Sequence, residues 1–148
     1  MHIAKPCLRD HTNSLRFLLA ALLLCTLATV VSAGTEEDVA AFKNGDYQMA
    51  LAELRTAAEN GDPKAQYYLA GMYWQGYQVD KDLKKARVWF RRALKRGYIE
   101  AARELGYLYA NGIGVDASAD KAAVLYRRAA AAGDPLAQRN LGLMYQRG

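Results

Sequence analysis

The chain has 148 residues, of which 52% are hydrophobic and 24% are charged, with three prolines and a net charge of +5. This length is typical of one domain, and so much apolar content with so modest a net charge excludes a disordered chain. Ala, Leu, Tyr, Lys and Arg dominate over β-branched residues, which favours helices over strands.

The N-terminal segment has the pattern of an export signal. It begins with the basic side chains Lys5, Arg9 and Arg16. An apolar run then covers residues 17–31, which is short for a membrane-spanning helix of about 20 residues. We expect residues 1–33 to be a signal peptide cleaved after Ala33, which places the mature protein in the periplasm or outside the cell. The alternatives are an uncleaved anchor and, more weakly, a lipoprotein attached through Cys25.

Cleavage at this site removes every histidine and cysteine of the chain, namely His2, Cys7, His11 and Cys25. The remaining segment keeps 17 of the 20 Lys and Arg residues and 14 of the 15 Asp and Glu residues, so its net charge is +3. It cannot form disulfides, Ser–His or Cys–His pairs, or a zinc site with the usual ligands. We therefore expect no catalytic residues, no metal and no cofactor. The single remaining serine, Ser118, is explained as a helix cap.

The first predicted helix of the mature chain begins at Thr35, where a capping residue precedes three acidic side chains. The turn Asn44-Gly45-Asp46 leads into a second helix that ends near Asn60. Together these elements form a partial repeat over residues 35–62, which precedes two complete copies of the same pattern.

From residue 63 onward the sequence has an internal period of 36. Residues 63–98 match residues 99–134 at 13 of 36 positions without a gap, and residues 135–148 begin another copy as a half repeat. A period of this length is typical of a repeated pair of helices.

Each repeat predicts a helical hairpin with recognisable ends. In the first copy Asp62 is a natural N-cap, Pro63 fits the first helical position and Gly76 ends the helix. The second helix runs from about Asp82 to Arg96. Asp80, Asp82, Asp116 and Asp120 recur at the loop-to-helix junctions, where capping explains them more simply than carboxylate chemistry does.

A single hairpin cannot bury its apolar stripe alone, so neighbouring hairpins must stack. We predict an all-α fold: a short right-handed α-solenoid of about seven helices, built from antiparallel helix hairpins. Small residues at fixed positions let the helix backbones approach closely; they are Ala86, Ala93, Gly106, Ala122, Ala129 and Gly142.

The repeat motif resembles a known family. The first copy reads Ala65-x3-Leu69-x3-Tyr73-x2-Gly76-x2-Val79-Asp80-x4-Lys85-Ala86-x6-Ala93-x3-Gly97, and the second contains Leu105-Gly106-x2-Tyr109-x2-Gly112-x-Gly114-Val115. This pattern is similar to the Sel-one-like repeat family, a branch of the tetratricopeptide-like α-solenoids, over residues 44–148. The resemblance implies an adaptor that brings proteins together, here an exported adaptor at the bacterial cell envelope.

The resemblance also leaves two other functions open. A cysteine-rich group within the family is described as penicillin-binding or β-lactamase-like, so an envelope hydrolase is the enzymatic alternative. That group has a disulfide pair in each repeat, which the mature chain cannot form. The third option is a small stabilising or inhibitory subunit of an envelope assembly.

In this superfamily the first helix of each hairpin lines a concave groove. The groove-facing positions differ between the copies and predict a partner-binding face made of Lys64, Tyr67, Trp74, Arg103, Tyr107, Arg139 and Leu143. Tyr, Trp and Arg are enriched at binding hot spots, so we expect a protein or peptide partner there. The alternative is that Trp74 and Tyr107 pack against the next repeat.

Two further surfaces are predicted from charge and from the repeat boundary. Lys84, Arg87, Arg91 and Lys95 lie opposite the apolar face of one helix. They form either a solvated convex surface or a contact with anionic envelope groups; nucleic acid is not expected. Leu141 and Tyr145 in the half repeat 135–148 lack a covering helix, so this segment is a cap, a seat for a partner or second copy, or part of a longer array.

Overall fold

The computed structural model describes residues 35–147, and the predicted signal peptide, 1–33, lies outside the described residues. Within this range the chain forms seven helices and no strand. They are α1 (35–44), α2 (Tyr47–Glu59), α3 (Pro63–Gln75), α4 (Leu83–Lys95), α5 (Glu100–Asn111), α6 (Ala119–Ala131) and α7 (Pro135–Arg147). No helix in the described range is both long enough and apolar enough to cross a membrane.

Helices α3, α4 and α6 begin at capping side chains that the sequence predicts, whereas α2 and α5 begin without a side-chain cap. The Asp62 carboxylate accepts a hydrogen bond of 2.7 Å from the backbone N–H of Ala65, and Asp82 and Ser118 cap α4 and α6 in the same way. These bonds satisfy amides that have no partner within the helix. Thr35 differs from the prediction, because it is already helical and buried instead of standing before the helix as a cap.

The ends of α3 and α5 show why glycine recurs there. Gly76 and Gly112 have φ angles of 80° and 65°, in the left-handed region that disfavours side chains. The chain then turns back, and the backbone N–H of Asp82 donates to the carbonyl of Tyr73 at 2.9 Å. Ser118 and Tyr109 form the matching bond at 2.8 Å, so both hairpins close in the same way.

Each helix from α2 to α7 packs against the next one along the chain, which confirms the predicted all-α solenoid of antiparallel hairpins. One buried cluster joins α1, α2 and α3 around Val39, Leu54 and Leu69. The other runs from α3 to α7 through Phe90 and Tyr126. Burial between neighbouring elements thus replaces a central core, as expected for a repeat protein.

A close contact between α5 and α6 depends on the glycine at position 106. A methyl group placed on Gly106 would lie 2.8 Å from ring atoms of Tyr126, so the ring occupies the space that a side chain would need. Gly142 is the matching residue in α7, one period later, and a methyl group there would meet nothing within 4 Å. A side chain at this repeat position would therefore clash in α5, whereas the same substitution in α7 would meet open space.

We predict that Gly106→Leu lowers the free energy of unfolding by about 1–3 kcal/mol, because the added side chain forces the Tyr126 ring and α6 outward. Gly142→Leu is the matched control and should cause no loss, since it meets open space and leucine favours helix more than glycine does. Urea denaturation followed by circular dichroism measures both. Equal losses in the two variants would contradict this account of the hairpin contact.

Candidate partner-binding groove

A groove of about 730 Å³ runs across α1, α3, α5 and α7. These are the first helices of successive hairpins, as the resemblance implies for a concave face. Its aromatic lining consists of Phe42, Tyr47, Tyr67, Tyr68, Trp74, Tyr77, Phe90 and Tyr107. Its polar lining consists of Lys43, Gln75, Arg103, Glu104 and Asn140. We call this surface the aromatic groove.

At the N-terminal end of the groove four rings pack against one another. Tyr47 stacks on Tyr77 with ring centres 4.1 Å apart and planes 7° apart. Phe42 meets Tyr47 edge to face at 5.3 Å and meets Tyr68 at 5.2 Å. Since aromatic pairs contribute about 0.5–1.5 kcal/mol each beyond simple burial, these rings hold one another in place.

The ring contacts continue toward α5. Tyr67 meets both Tyr68 and Phe90 at 5.4 Å, and Phe90 meets Trp74 at 6.0 Å. Trp74 in turn packs on Tyr107, in the next repeat, with ring centres 5.8 Å apart. Tyr107 remains 43% exposed. The groove therefore contains an unbroken series of aromatic contacts that ends in an accessible ring.

A polar network fixes the groove's edge between α3 and α5. The Tyr67 hydroxyl donates to Glu104 at 3.2 Å, and Arg103 pairs with Glu104 at 2.8 Å and with Asp134 at 2.9 Å. Burial raises the pKa of Tyr67 far above its usual range, and the negative charge of Glu104 adds to this. Burial alone would raise the pKa of Asp134, but hydrogen bonds from the Ala137 amide and from Arg103 outweigh it and lower that pKa.

The structure brings some of the predicted partner-binding residues together and separates others. Tyr67, Trp74, Arg103 and Tyr107 all line the aromatic groove, and Leu143 lines an adjoining hollow that shares Tyr107 and Asn140 with it. Lys64 lies outside the groove, where its ammonium pairs with Glu36 of α1 at 2.6 Å. Arg139 is exposed on α7 and lines neither cavity.

Sequence reasoning missed the N-terminal half of the groove. Phe42 and Tyr47 flank the short turn between α1 and α2, and Tyr77 comes directly after the glycine that ends α3. None of the three has a groove-facing counterpart in the 36-residue register. The only available signal was the density of aromatic residues between positions 42 and 77.

The predicted basic surface on α4 is largely exposed. Lys84, Arg91 and Lys95 are accessible, Arg87 is half-buried, and Arg92 lies 4.5 Å over the ring of Trp89. This arrangement places positive charge on the helix that comes after the groove-lining α3.

The side chains of the groove determine its chemistry. Within residues 35–147 no three His, Cys, Asp or Glu residues are grouped so as to hold a metal ion. The groove offers ring faces for stacking, side-chain amides and tyrosine hydroxyls for hydrogen bonds, and both signs of charge. These are the means by which a surface binds a flexible ligand.

Fold and groove together define a helical-repeat protein with an aromatic groove across the first helices of its hairpins. The profile of the Sel1 repeat matches residues 63–98, 99–134 and 135–148, and the chain belongs to the Sel1 repeat family. Proteins of this family are helical scaffolds for protein–protein interaction. The resemblance stated from the motif is thereby confirmed.

One curated relative is the secretory immunoglobulin A-binding protein EsiB of Escherichia coli O6:H1, whose name states its ligand. It is 48% identical to this chain over 42 residues, which are 28% of this chain and 9% of that protein. This chain therefore matches only a small part of that relative.

Three solved structures share the fold. A Sel1 repeat protein from Oxalobacter formigenes is 36% identical with a TM-score of 0.62, over 66% of this chain and 39% of its own. A protective antigen of uropathogenic Escherichia coli is 25% identical with a TM-score of 0.73, over 80% of this chain and 26% of its own. The cysteine-rich protein B of Helicobacter pylori is 26% identical with a TM-score of 0.59, over 64% of this chain and 71% of its own.

Tyr98, whose ring contacts Tyr67 of the groove, should make the protein less stable in alkali. Burial, then the negative charges of ionised Tyr68 and of Glu100, raises the pKa of Tyr98 to about 12. An unfolded tyrosine ionises near pH 10, so between about pH 10 and 12 the unfolded state loses a proton that the folded state keeps. The contribution of Tyr98 to the free energy of unfolding is therefore fully present below this range and is lost as the pH rises through it.

We expect Tyr98→Phe to reduce this alkaline loss of stability, because the variant removes one of the ionising groups. Urea denaturation at several pH values between about 9 and 12 measures the slope in both proteins. An unchanged slope would show that Tyr98 ionises equally easily in the folded and unfolded states.

Proposed function

We propose that this protein is an exported, non-catalytic adaptor of the bacterial cell envelope that holds an extended segment of another protein in the aromatic groove. The observation that carries the proposal is the unbroken series of ring contacts that ends at the exposed Tyr107. Such a surface is formed before any partner arrives.

Rigidity is what makes the groove suited to binding. Trp74 is held between Phe90 and Tyr107, and Tyr67 is held by its hydrogen bond to Glu104. Side chains already fixed lose little conformational freedom on binding, so more of the contact energy appears as affinity. An extended segment leaves its backbone amides and carbonyls unpaired, and the amide side chains of Gln75 and Asn140 can bind these groups.

Export is supported by the leader pattern of residues 1–33 and by what the relatives are called. One relative is named for binding a secretory immunoglobulin and another is described as a protective antigen, and both descriptions fit proteins accessible at the cell surface. We extend this location to the present chain. The exposed basic side chains of α4 then face an environment rich in anionic envelope groups, and we include contact with those groups in the proposal.

We infer that the protein is not a catalyst because several polar side chains that could serve in catalysis already have structural roles. Asp62, Asp82 and Ser118 cap helices, and Asp134 both caps α7 and pairs with Arg103. The cysteine-rich relative from Helicobacter pylori differs from this chain, whose described residues contain no cysteine. Hydrolysis of a chromogenic β-lactam by the mature protein would favour the enzymatic alternative.

We predict that Trp74→Ala with Tyr107→Ala weakens capture of the groove partner by about tenfold or more, since aromatic hot spots carry much of the binding energy. The matched control is Tyr145→Ala, which removes an exposed tyrosine outside the groove. Immobilised protein is photocrosslinked to an envelope extract of the source bacterium, and the captured segment is then titrated as a peptide. Circular dichroism checks the fold, and a matching loss of helix signal would show instead that the two rings are structural.

Processing of the leader gives a second test. Expressed with residues 1–33 in a bacterial host, the protein should appear in the periplasm or medium with Gly34 as its first residue. Intact-mass measurement of the purified protein decides this. Retention of the leader on a membrane-bound product would contradict the proposed release.

A further inference from the structure

A separate hollow of about 380 Å³ opens among α4, α5 and α6, and it shares no lining residue with the aromatic groove. Its volume lies within the range of roughly 300–1,000 Å³ that is typical of small-molecule sites. Its apolar lining consists of Leu94, Leu105, Tyr109, Val124 and Leu125, and its polar lining consists of Arg91, Asp120 and Lys121. We call this surface the apolar hollow.

The corresponding place between α2 and α4 is filled by the protein itself. Trp89 lies one period before Leu125, packs against the buried cluster of α1, α2 and α3, and has Arg92 over its ring at 4.5 Å. Val88, one period before Val124, is half-buried there. A large apolar group beneath a cation therefore fits this position of the repeat.

Between α4 and α6 the filling is incomplete. Leu125 is smaller than Trp89. Leu94 is larger than its counterpart Ala58, yet Val124 remains 57% exposed and the hollow remains open. Covering this surface with hydrocarbon is favourable, because apolar area then leaves water.

The apolar hollow lies between helices that are both within the described range, so a further repeat would leave it open. Helix α4 faces α6 through Arg91 and Leu94. One period later these positions are Arg127 and Ala130, which do not line the hollow. A second helix of a following repeat would therefore face these two residues, on the other side of α6.

The mouth of the apolar hollow carries positive charge. Arg91 belongs to the basic surface of α4, and no ion pair among residues 35–147 includes it. Lys121 lies 5.3 Å from the ring centre of Tyr109, and Asp120 is the single carboxylate of the lining. A guanidinium pairs well with a carboxylate. Apolar walls beside a free cation are thus complementary to a hydrocarbon chain with an anionic end.

We propose that the apolar hollow binds a fatty acid, with its hydrocarbon chain against Val124 and Leu125 and its carboxylate on Arg91. The apolar walls offer a peptide backbone few hydrogen-bonding groups, whereas a hydrocarbon chain needs none. The site goes beyond the general contact of α4 with anionic envelope groups, and it does not involve the aromatic groove.

Isothermal titration calorimetry of the mature protein with dodecanoate, below its micelle concentration and at neutral pH, tests the site. We expect saturable binding that Leu125→Trp weakens by about tenfold or more, because an indole fills this place at Trp89. The matched control, Leu125→Met, conserves the volume of the side chain and should keep binding. Circular dichroism checks that both variants fold.

A second set of variants tests the charge. Arg91→Gln should weaken dodecanoate binding by about three- to fivefold, as expected for an exposed ion pair, and should not weaken binding of dodecyltrimethylammonium, which has the same chain and a cationic head. Arg127→Gln is the matched control, since Arg127 lies outside the hollow. Asp120→Asn should strengthen dodecanoate binding, because it removes the one negative charge of the lining.

Two results with dodecanoate would overturn the proposal: no saturable binding by the unaltered protein, or binding that Leu125→Trp leaves unchanged. Vesicles of phosphatidylglycerol separate this site from the broader proposal for α4. Binding to the vesicles without binding of dodecanoate would support the contact of α4 with anionic envelope groups and would contradict the fatty-acid site.

Discussion

The packing that determines the shape of the two complete hairpins, α3–α4 and α5–α6, combines an aromatic residue of the second helix with a small residue of the first. Tyr126 lies against Gly106, and Phe90 shares a buried cluster with Ala70, the residue one period before Gly106. In both hairpins the small residue lets the two helix backbones approach, while the ring fills the space that remains. Because packing density in a protein interior tolerates neither voids nor overlap, this pairing sets both the separation and the rotation of the two helices. With the second helix so placed, the first helices of successive hairpins come to lie side by side and form one surface.

The N-terminal half of the groove on that surface results from a difference between the first hairpin and the others. A turn of two residues joins α1 to α2, whereas seven residues separate α3 from α4. The short turn brings Phe42 and Tyr47 beside Tyr77, which the longer loop carries back toward α1. Rings that would otherwise be isolated and exposed therefore support one another, and large aromatic side chains remain at the surface without collapsing into the core.

The sequence predicts the fold well because its signals are local. Asp62 before Pro63, and Gly76 after α3, specify helix ends through backbone chemistry within a few residues. The groove is predicted less well because its side chains are placed by contacts between elements. Lys64 has the right periodicity for the groove, yet the carboxylate of Glu36, 28 residues earlier in a hairpin outside the regular register, draws it away. No pattern within one repeat contains that information.

The positions that specify packing are distinct from those that differ between the copies. Tyr67, Arg103 and Arg139 occupy one place in the repeat, yet the first donates to Glu104, the second pairs with two carboxylates and the third is exposed. None of the three belongs to the pairs of small residue and ring that set the hairpin geometry. Changes at this place therefore alter the charge and shape of the groove while the helices keep their positions. A solenoid can in this way acquire a new recognition surface without rebuilding its core, since each repeat contacts only its neighbours.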